Sequence, residues 1–179
     1  MKKFIALLLA AMLMLTAVSA FAESEKDTIP YDESMHFAVV YPEGYEVTVD
    51  VDEGYVLCYM LAADESAVNM LMIVAPDNEL EDIATINDLS EEEKAELAEG
   101  LIEDLYNPTW EIRTTGLGTE VIVIDEQGAE DDLVTLTALY HGYVVTMYLG
   151  HNDGSTVTEE DIALGLQFFT DMDFVSTVE

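Results

Sequence analysis

Short stretches in which apolar and polar residues alternate recur along most of the chain, and they are typical of β-strands. In the clearest of them Val47, Val49 and Val51 point one way and their polar neighbours point the other, which predicts a strand with one face in solvent. Residues 55–62 and 67–75 are apolar on both faces. The whole pattern predicts strands at residues 35–41, 46–52, 55–62, 67–75, 110–115, 119–125, 132–140 and 143–149.

Capping signals predict two helices. The first begins after Ser90, which forms a capping box with Glu93, and apolar residues then recur at every fourth position. These apolar residues are Leu97, Leu101 and Leu105. The second helix begins after Thr158, which is capped in the same way with Asp161. Its core-facing residues are predicted to be Ile162, Gly165, Leu166 and Phe169.

Glycine at two places predicts a particular backbone environment. Gly100 lies inside the first helix, where glycine costs about 1 kcal/mol relative to alanine, and this suggests the close approach of a neighbouring element. The pair His141-Gly142 falls between two strands, at positions that tolerate positive φ. This pair predicts a two-residue hairpin turn.

The two strands that are apolar on both faces, residues 55–62 and 67–75, determine the predicted fold class. A sheet whose central strands are apolar on both faces needs a covering layer on each side, which favours helices over both. The pattern therefore predicts an α+β fold, a single-domain α/β/α sandwich with a mostly antiparallel central sheet and two main helices.

The first 22 residues have the three-part pattern of a secretory signal peptide. Two lysines precede an apolar run over residues 4–15, and small residues then lead to Ala22. The apolar run is shorter than the roughly 20 residues that a transmembrane helix needs. We therefore expect cleavage after Ala22, a flexible N-terminal tail over residues 23–30 and one domain over residues 31–179. The expected product is secreted or periplasmic and has no later transmembrane segment.

The chain is strongly acidic, because 38 Asp and Glu residues stand against five Lys and Arg and give a formal net charge of −33. Loss of the two lysines of the predicted signal peptide makes this charge −35. Such a field repels nucleic acid and anionic membranes, and it attracts cations and basic proteins. Half of the residues are apolar, so the charge indicates an acidic surface rather than disorder. The expected partner is a protein or another cationic component of the cell envelope, and nucleic acid is excluded.

The order of the predicted elements carries a family resemblance. An aromatic strand leads into Tyr-Pro-Glu-Gly-Tyr at residues 41–45, a strand meander and an acidic helix follow, and the last helix runs into residues 169–174. Over residues 31–175 this order resembles the PsbP-like and Mog1-like α/β/α sandwich proteins, in particular their secreted bacterial members of unknown function. The resemblance implies a non-enzymatic scaffold, since relatives assist photosystem assembly and oxygen evolution or bind a small GTPase. Export would exclude the GTPase role, and no motif of the family maps onto a binding site in this chain.

Calcium is the one metal that the composition favours, because hard cations take carboxylate and carbonyl oxygens. Around Gly154, Asp153 and Glu160 fit an EF-hand loop, but Leu149 and His151 stand where ligating oxygens are needed. Irregular sites in two acidic stretches, residues 77–82 and 125–132, stay open as alternatives. The candidate ligands are Asp77, Glu79, Asp82, Asp131, Asp132 and Asp153.

The sequence assigns no catalytic residue and no cofactor. It has no nucleophile elbow, and the histidines, His36, His141 and His151, favour structural roles at a strand start, a turn and a loop. Cys58 lies in an apolar strand and is predicted to be a small buried side chain. With so many carboxylates, a pair suited to glycoside hydrolysis is always available, so its presence discriminates nothing.

The tyrosines are predicted to lie at core edges, with an aromatic ligand-binding patch as the alternative. Those on strands or turns are Tyr41, Tyr45, Tyr55, Tyr59, Tyr140, Tyr143 and Tyr148. Taken together, the sequence predicts a non-catalytic binding or accessory domain with a cationic partner. An extracytoplasmic hydrolase that uses carboxylates and a calcium-binding domain remain alternatives, and the acidity has a third explanation in surface solubility alone.

Overall fold

The computed structural model describes residues 26–31, 35–52, 54–126 and 132–176. Over these residues the fold is α+β, as the sequence predicts, with a seven-stranded antiparallel sheet, a three-stranded sheet and two α-helices. The strands are β1 (Asp27–Pro30), β2 (Met35–Val39), β3 (Tyr45–Asp52), β4 (Tyr55–Ala62), β5 (Asn69–Pro76), β6 (Pro108–Thr114), β7 (Glu120–Glu126), β8 (Val134–Tyr140), β9 (Tyr143–Gly150) and β10 (Asp173–Ser176). The helices are α1 (Glu91–Ile102) and α2 (Glu159–Asp171), and a 3₁₀ turn (Ile86–Asp88) precedes α1.

The large sheet has the strand order β3-β4-β5-β9-β8-β7-β6. All of its neighbouring pairs are antiparallel, and all but one join strands that are consecutive in sequence. The exception is the central pair of β5 and β9, which joins two meanders. The eight predicted strands are all present because their two-residue period matches the pleat of the sheet.

The small sheet contains two strands that the sequence pattern does not predict. β1 and β10 pair with opposite sides of β2. Residues 23–30 are predicted to be a flexible tail, and for Asp27–Pro30 this prediction is wrong, because these residues form β1 and bury Ile29 completely. A single apolar side chain in a polar stretch gives no periodic signal, yet it is enough to anchor a short strand. The predicted signal peptide lies outside the described residues.

One side of the large sheet packs against α2 and the small sheet, and we call it the α2 face. Alternate residues of β4 point to this side, and Val56, Cys58 and Met60 are fully buried there. The buried residues of α2 are Ile162, Gly165, Phe168 and Phe169, and Leu166 packs against them partly buried. A Cβ atom on Gly165 would lie 3.1 Å from Leu136 Cδ2, so the glycine allows α2 to approach β8 closely.

The opposite side of the sheet, the α1 face, is covered over only part of its width. The 3₁₀ turn and α1 pack on β6, β7 and β8 through a second apolar cluster. Its buried members are Ile86, Leu89, Ala98, Ile122, Ile124 and Leu139. Strands β4 and β5 lie beyond this cluster, so the cover predicted for both of their faces is wrong on the α1 face. None of the described helices is long and apolar enough to span a membrane.

The two glycine predictions have opposite outcomes. No neighbouring atom lies within 4 Å of the position that a Cβ atom on Gly100 would take, so the predicted close approach is wrong. The predicted hairpin turn is confirmed, because His141 and Gly142 have φ values of 48° and 81°. Their backbone N–H groups donate to the carbonyls of Ala84 and Ile83, at 2.9 Å and 3.2 Å, and tie the turn to the segment before α1.

Each Lys and Arg side chain in the described part of the chain forms an ion pair. The pairs that join separate parts of the fold are Lys26–Asp173, Lys94–Glu120 and Arg113–Glu159. Lys94 is buried on α1, and its Nζ lies 2.6 Å from Glu120 Oε2 on β7. The guanidinium of Arg113 on β6 donates two hydrogen bonds, of 2.7 Å and 3.0 Å, to Glu159 on α2. These cations therefore hold elements together and are already neutralised by carboxylates.

Candidate binding site

An apolar groove lies on the uncovered half of the α1 face. On β4, Tyr59 points to this side because the residues before and after it point into the core. Leu71 on β5 stands directly beside Tyr59, and Tyr148 on β9 stands beside Leu71. The three side chains form a continuous row across the middle of the sheet. The row is built from the same strands that carry the core on their other face.

The groove is large, open and mainly apolar. Its volume is about 510 Å³, which lies within the range of ligand-binding pockets. The large apolar side chains that line it are Tyr59, Leu61, Leu71, Ile73, Leu133 and Tyr148. Leu61 is 52% exposed, Tyr59 is 39% exposed and Tyr148 is 36% exposed. Such a cluster of exposed large apolar side chains on the central part of a sheet is typical of a contact surface for another molecule.

Polar groups are confined to one end of the groove. Here β9 ends at Gly150, and Leu133 Cδ2 lies 2.7 Å from the position that a Cβ atom at residue 150 would take. A side chain at this position would therefore displace Leu133 from the wall of the groove. The polar lining residues at this end are Asn69, His151 and Asn152. The Oδ1 atom of Asn69 accepts a hydrogen bond of 2.9 Å from the backbone N–H of Ala62.

Carboxylates lie beside the groove on two sides. Along β3, Glu46 and Asp50 pair in register with Leu61 and Leu57 of β4, so both acids lie on the α1 face next to apolar residues. Both are exposed. At the polar end, Asn152 also lines a second depression, of about 480 Å³, whose other lining residues are Glu65, Ser66 and Asp153. The apolar surface thus lies beside acidic groups along one flank and at one end.

His151 connects the polar end of the groove to α2. Its Nε2 atom lies 3.1 Å from Asp161 Oδ2, and its side chain is 7% exposed. The Nδ1 atom of His151 is buried without a hydrogen-bond partner among the described residues. The same Asp161 oxygen accepts hydrogen bonds from the backbone N–H and the hydroxyl of Thr158, at 2.8 Å and 2.7 Å. The histidine and aspartate are therefore parts of the N-terminal cap of α2, and the predicted structural role of His151 agrees with this geometry.

The candidate calcium ligands are spread over three separate parts of the fold. Asp77, Glu79 and Asp82 lie in the segment after β5, Asp132 lies just before β8, and Asp153 lies after β9. Asp131 lies outside the described residues. In the described ranges, no group of three or more His, Cys, Asp or Glu side chains is arranged to hold a metal ion.

Local hydrogen bonds occupy some of these carboxylates. Asp77 Oδ1 accepts a hydrogen bond of 2.9 Å from the backbone N–H of Glu79. Asp153 Oδ1 accepts one of 3.0 Å from the backbone N–H of Ser155. The hydrogen bonds from Ser155 hold the pKa of Asp153 below its ordinary value. These contacts are those of acidic turns, in which the carboxylate stabilises the backbone that follows it.

Cys58 is fully buried on the α2 face, as predicted. Burial raises the pKa of its thiol to about 11, although a hydrogen bond with Tyr41 acts in the opposite direction. A thiol with such a pKa stays protonated at neutral pH and is a poor nucleophile.

The tyrosines divide between the core and the groove. Tyr140 is buried, and its hydroxyl lies 3.4 Å from the carbonyl oxygen of Phe169. Tyr45 is half-buried and donates a hydrogen bond of 2.7 Å to the carbonyl of Val68. Tyr59 and Tyr148 instead belong to the groove, which is the aromatic patch considered as an alternative from the sequence. The sequence pattern does not assign the apolar residues between these tyrosines to a binding site. The polar side chains of β3 do indicate that the α1 face is exposed to solvent at this edge of the sheet.

This arrangement can bind an apolar surface and place a positively charged group beside it. It brings large apolar side chains and carboxylates together, and the histidine nearest to it has a structural partner. Among known family models and curated proteins, none matches this chain.

Proposed function

We propose that the protein is a secreted or periplasmic, non-catalytic binding or accessory domain whose apolar groove holds an apolar segment of a basic protein. The observation that carries this proposal is the open row of Tyr59, Leu71 and Tyr148 on strands whose other face is core. Leaving such side chains in water forgoes roughly 25 cal/mol for every Å² of apolar surface. A partner that covers them recovers this free energy.

The basic character of the partner is argued from charge. The formal net charge is −33, and the cations among the described residues already pair with carboxylates. The free charges near the groove, such as Glu46 and Asp50, are therefore negative. A field of one sign accelerates association with a partner of the opposite sign and repels partners of the same sign.

Two features of the sequence support the rest of the proposal. The pattern of the first 22 residues supports an extracytoplasmic location. The order of the elements resembles that of PsbP-like and Mog1-like proteins, and membership of that group is part of the proposal. Such a scaffold acts by contact with another protein, which fits a domain with an open apolar face. Fold likeness by itself does not identify the partner.

Site-directed photocrosslinking tests the proposed function. In the variant Leu61→Cys, a thiol-directed crosslinker is attached at the edge of the groove, while buried Cys58 stays unlabelled because its thiol is inaccessible and protonated. The labelled protein is incubated with envelope and secreted fractions of its host. We expect one discrete adduct to a basic protein, which disappears at about 1 M salt because the Debye length falls to about 3 Å.

The variant Leu117→Cys is the matched control, because Leu117 is 75% exposed in the turn between β6 and β7, away from the groove residues. The identified partner is then purified, and its affinity for the unmodified protein is measured at low and high salt. The proposal predicts binding that weakens with salt. Equal adducts from both positions, an acidic partner or salt-independent binding would contradict it.

A further inference from the structure

We infer that the partner segment in the apolar groove is an amphipathic α-helix with basic residues along the edges of its apolar face. This inference rests on the proposed function and adds the conformation of the ligand. Its first support is the position of the groove over β4, β5 and β9, which are interior strands of the sheet. Each of them is paired with a strand on both sides, so the backbone groups along their paired lengths are already hydrogen-bonded within the sheet.

This geometry disfavours an extended ligand. A peptide in extended conformation binds by adding a strand to a sheet edge, where backbone groups are free. Laid flat over the groove, it would bury its own N–H and C=O groups without partners, and each such group carries a desolvation penalty. A helix satisfies these groups internally and presents only side chains. An apolar surface that offers no backbone hydrogen-bonding groups therefore favours a helical ligand over an extended one.

The dimensions of the groove fit one helix. Strands β3, β4, β5 and β9 lie side by side, and three spacings of about 4.8 Å make the uncovered surface roughly 14 Å wide. A helix with its side chains is about 10–12 Å across. Along β4 the distance from Leu57 to Leu61 is roughly 13 Å, which corresponds to the length of about nine helical residues. A helix of three to four turns would cover this length of β4 and extend beyond it at both ends.

The other half of the α1 face shows how the sheet accepts a helix. There α1 packs on Ile122, Ile124 and Leu139. A cavity of about 100 Å³ lies between α1 and the groove, and its lining includes Leu101 of α1, Leu105 just after α1 and Tyr148. Side chains of a second helix placed beside α1 would fill this cavity, because packed helices approach to 8–10 Å between their axes. The partner helix would then continue the layer that α1 begins.

The acidic residues beside the groove favour a helix with basic residues, and they disfavour a second copy of this acidic chain as the ligand. The acids next to the groove lie along β3, at Glu46 and Asp50, and at the polar end, at Glu65 and Asp153. Lysine and arginine residues at the edges of an apolar helical face lay their aliphatic stems on the groove and extend their charges toward these acids. Two copies packed face to face would instead bring like charges together.

Two synthetic peptides of identical composition provide the test. Both are labelled 14-residue peptides of leucine and lysine; in one the leucines follow a helical period, and in the other they alternate as in a strand. Binding to the purified protein is measured by fluorescence anisotropy, and helix content by circular dichroism. We expect the helical-period peptide to bind at least tenfold more tightly and to gain helix content on binding.

The double variant Leu61→Ser/Tyr148→Ser should weaken binding of the helical-period peptide at least tenfold. Its matched control is Tyr106→Ser/Leu117→Ser, which removes two comparably large side chains that are 69% and 75% exposed outside the groove. The control should bind as the wild type does. If the loss of Tyr148 disturbs β9, the single variant Leu61→Ser tests the groove instead. Thermal unfolding of every variant verifies that it is folded.

The outcomes separate the two proposals. Equal binding of both peptides, sensitive to the groove variant, would overturn the helix and leave the proposed function standing. No binding of either peptide, or binding that ignores the groove variant, would overturn both. Analytical ultracentrifugation adds a further arm: a dimer that the groove variant converts to a monomer would identify a second copy as the occupant and would also overturn both.

Discussion

Gly100 and Gly165 lie in different helices and have different environments. Gly100 on α1 is exposed, with free space around the position of a Cβ atom, whereas Gly165 on α2 lies against Leu136, Leu149 and Met147. The sequence pattern places Gly165 correctly on the core-facing side of α2, but the close approach that it predicts at Gly100 does not occur. The difference depends on which side of each helix meets the sheet.

Alanine at these two positions should therefore change stability in opposite directions. Gly100→Ala is expected to raise the free energy of unfolding by about 1 kcal/mol, because alanine is the better helix former. Gly165→Ala is expected to lower it by about 1 kcal/mol, because overpacking a core costs about 1–3 kcal/mol and outweighs that gain. Urea denaturation of both variants measures the two changes. Stabilisation by both substitutions would show that α2 can shift away from β8 at little cost.

Lys94 is the residue whose environment differs most from what its type suggests. A lysine on an acidic helix is normally exposed, but Lys94 is 6% exposed, and hydrogen bonds with Glu120 and Glu91 raise its pKa. No periodicity in the sequence identifies Glu120 as its partner, because the two lie on different elements. The pairing of α1 with β7 is a property of the tertiary fold.

At the scale of elements, the cap of α2 joins a helix to the end of β9. Burial alone would raise the pKa of Asp161, but the hydrogen bonds from Thr158 and His151 outweigh it, and the pKa lies below its ordinary value. A carboxyl group whose pKa is lower in the folded chain than in the unfolded chain stabilises the fold above its unfolded pKa, near 3.9 for aspartate. This contribution disappears as the pH falls through the folded pKa.

The variant Asp161→Asn tests the cap. We expect it to be less stable than wild type by about 1 kcal/mol at neutral pH, the scale of a lost helix cap. The difference should shrink as the pH falls below about 4, the ordinary pKa of aspartate, because the wild type loses its charged cap as the pH passes the lower pKa of the folded state. Chemical denaturation from neutral pH into this acidic range provides the measurement. Glu160→Gln removes a charge from the same turn and is the control, and a deficit of Asp161→Asn that is constant with pH would contradict the prediction.

Much of the element pattern is predictable from the sequence, for local reasons. The strands follow from two-residue alternation, and both capping boxes form at Ser90 and Thr158 as predicted. Short strands such as β1 follow instead from pairing with β2, which no local pattern encodes. The groove could not be predicted for a related reason. The apolar faces of β4 indicate that burial of this strand is favourable, but they do not indicate whether this chain or another molecule buries it.

At the scale of the whole molecule, charge acts on stability. Mutual repulsion of carboxylates destabilises the compact state, and salt screens it. We expect the midpoint of thermal unfolding to rise with sodium chloride, and to rise equally with calcium and magnesium chloride at matched ionic strength. In the described ranges no group of acids is arranged as a metal site. A saturable, calcium-selective rise at micromolar concentration would contradict this prediction and would direct attention to Asp131 and the acids around it.

The strand order also determines when the chain can complete its fold. Neighbours in the large sheet are neighbours in sequence except at its centre, where β5 meets β9. During synthesis, the meander of β3, β4 and β5 therefore has a free edge until Gly150 has been made. A free edge is a template for pairing with the wrong chain, and pairings of high sequence separation form slowly. The net negative charge of the chain makes unfinished copies repel one another during this interval, before β9 covers the free edge of β5.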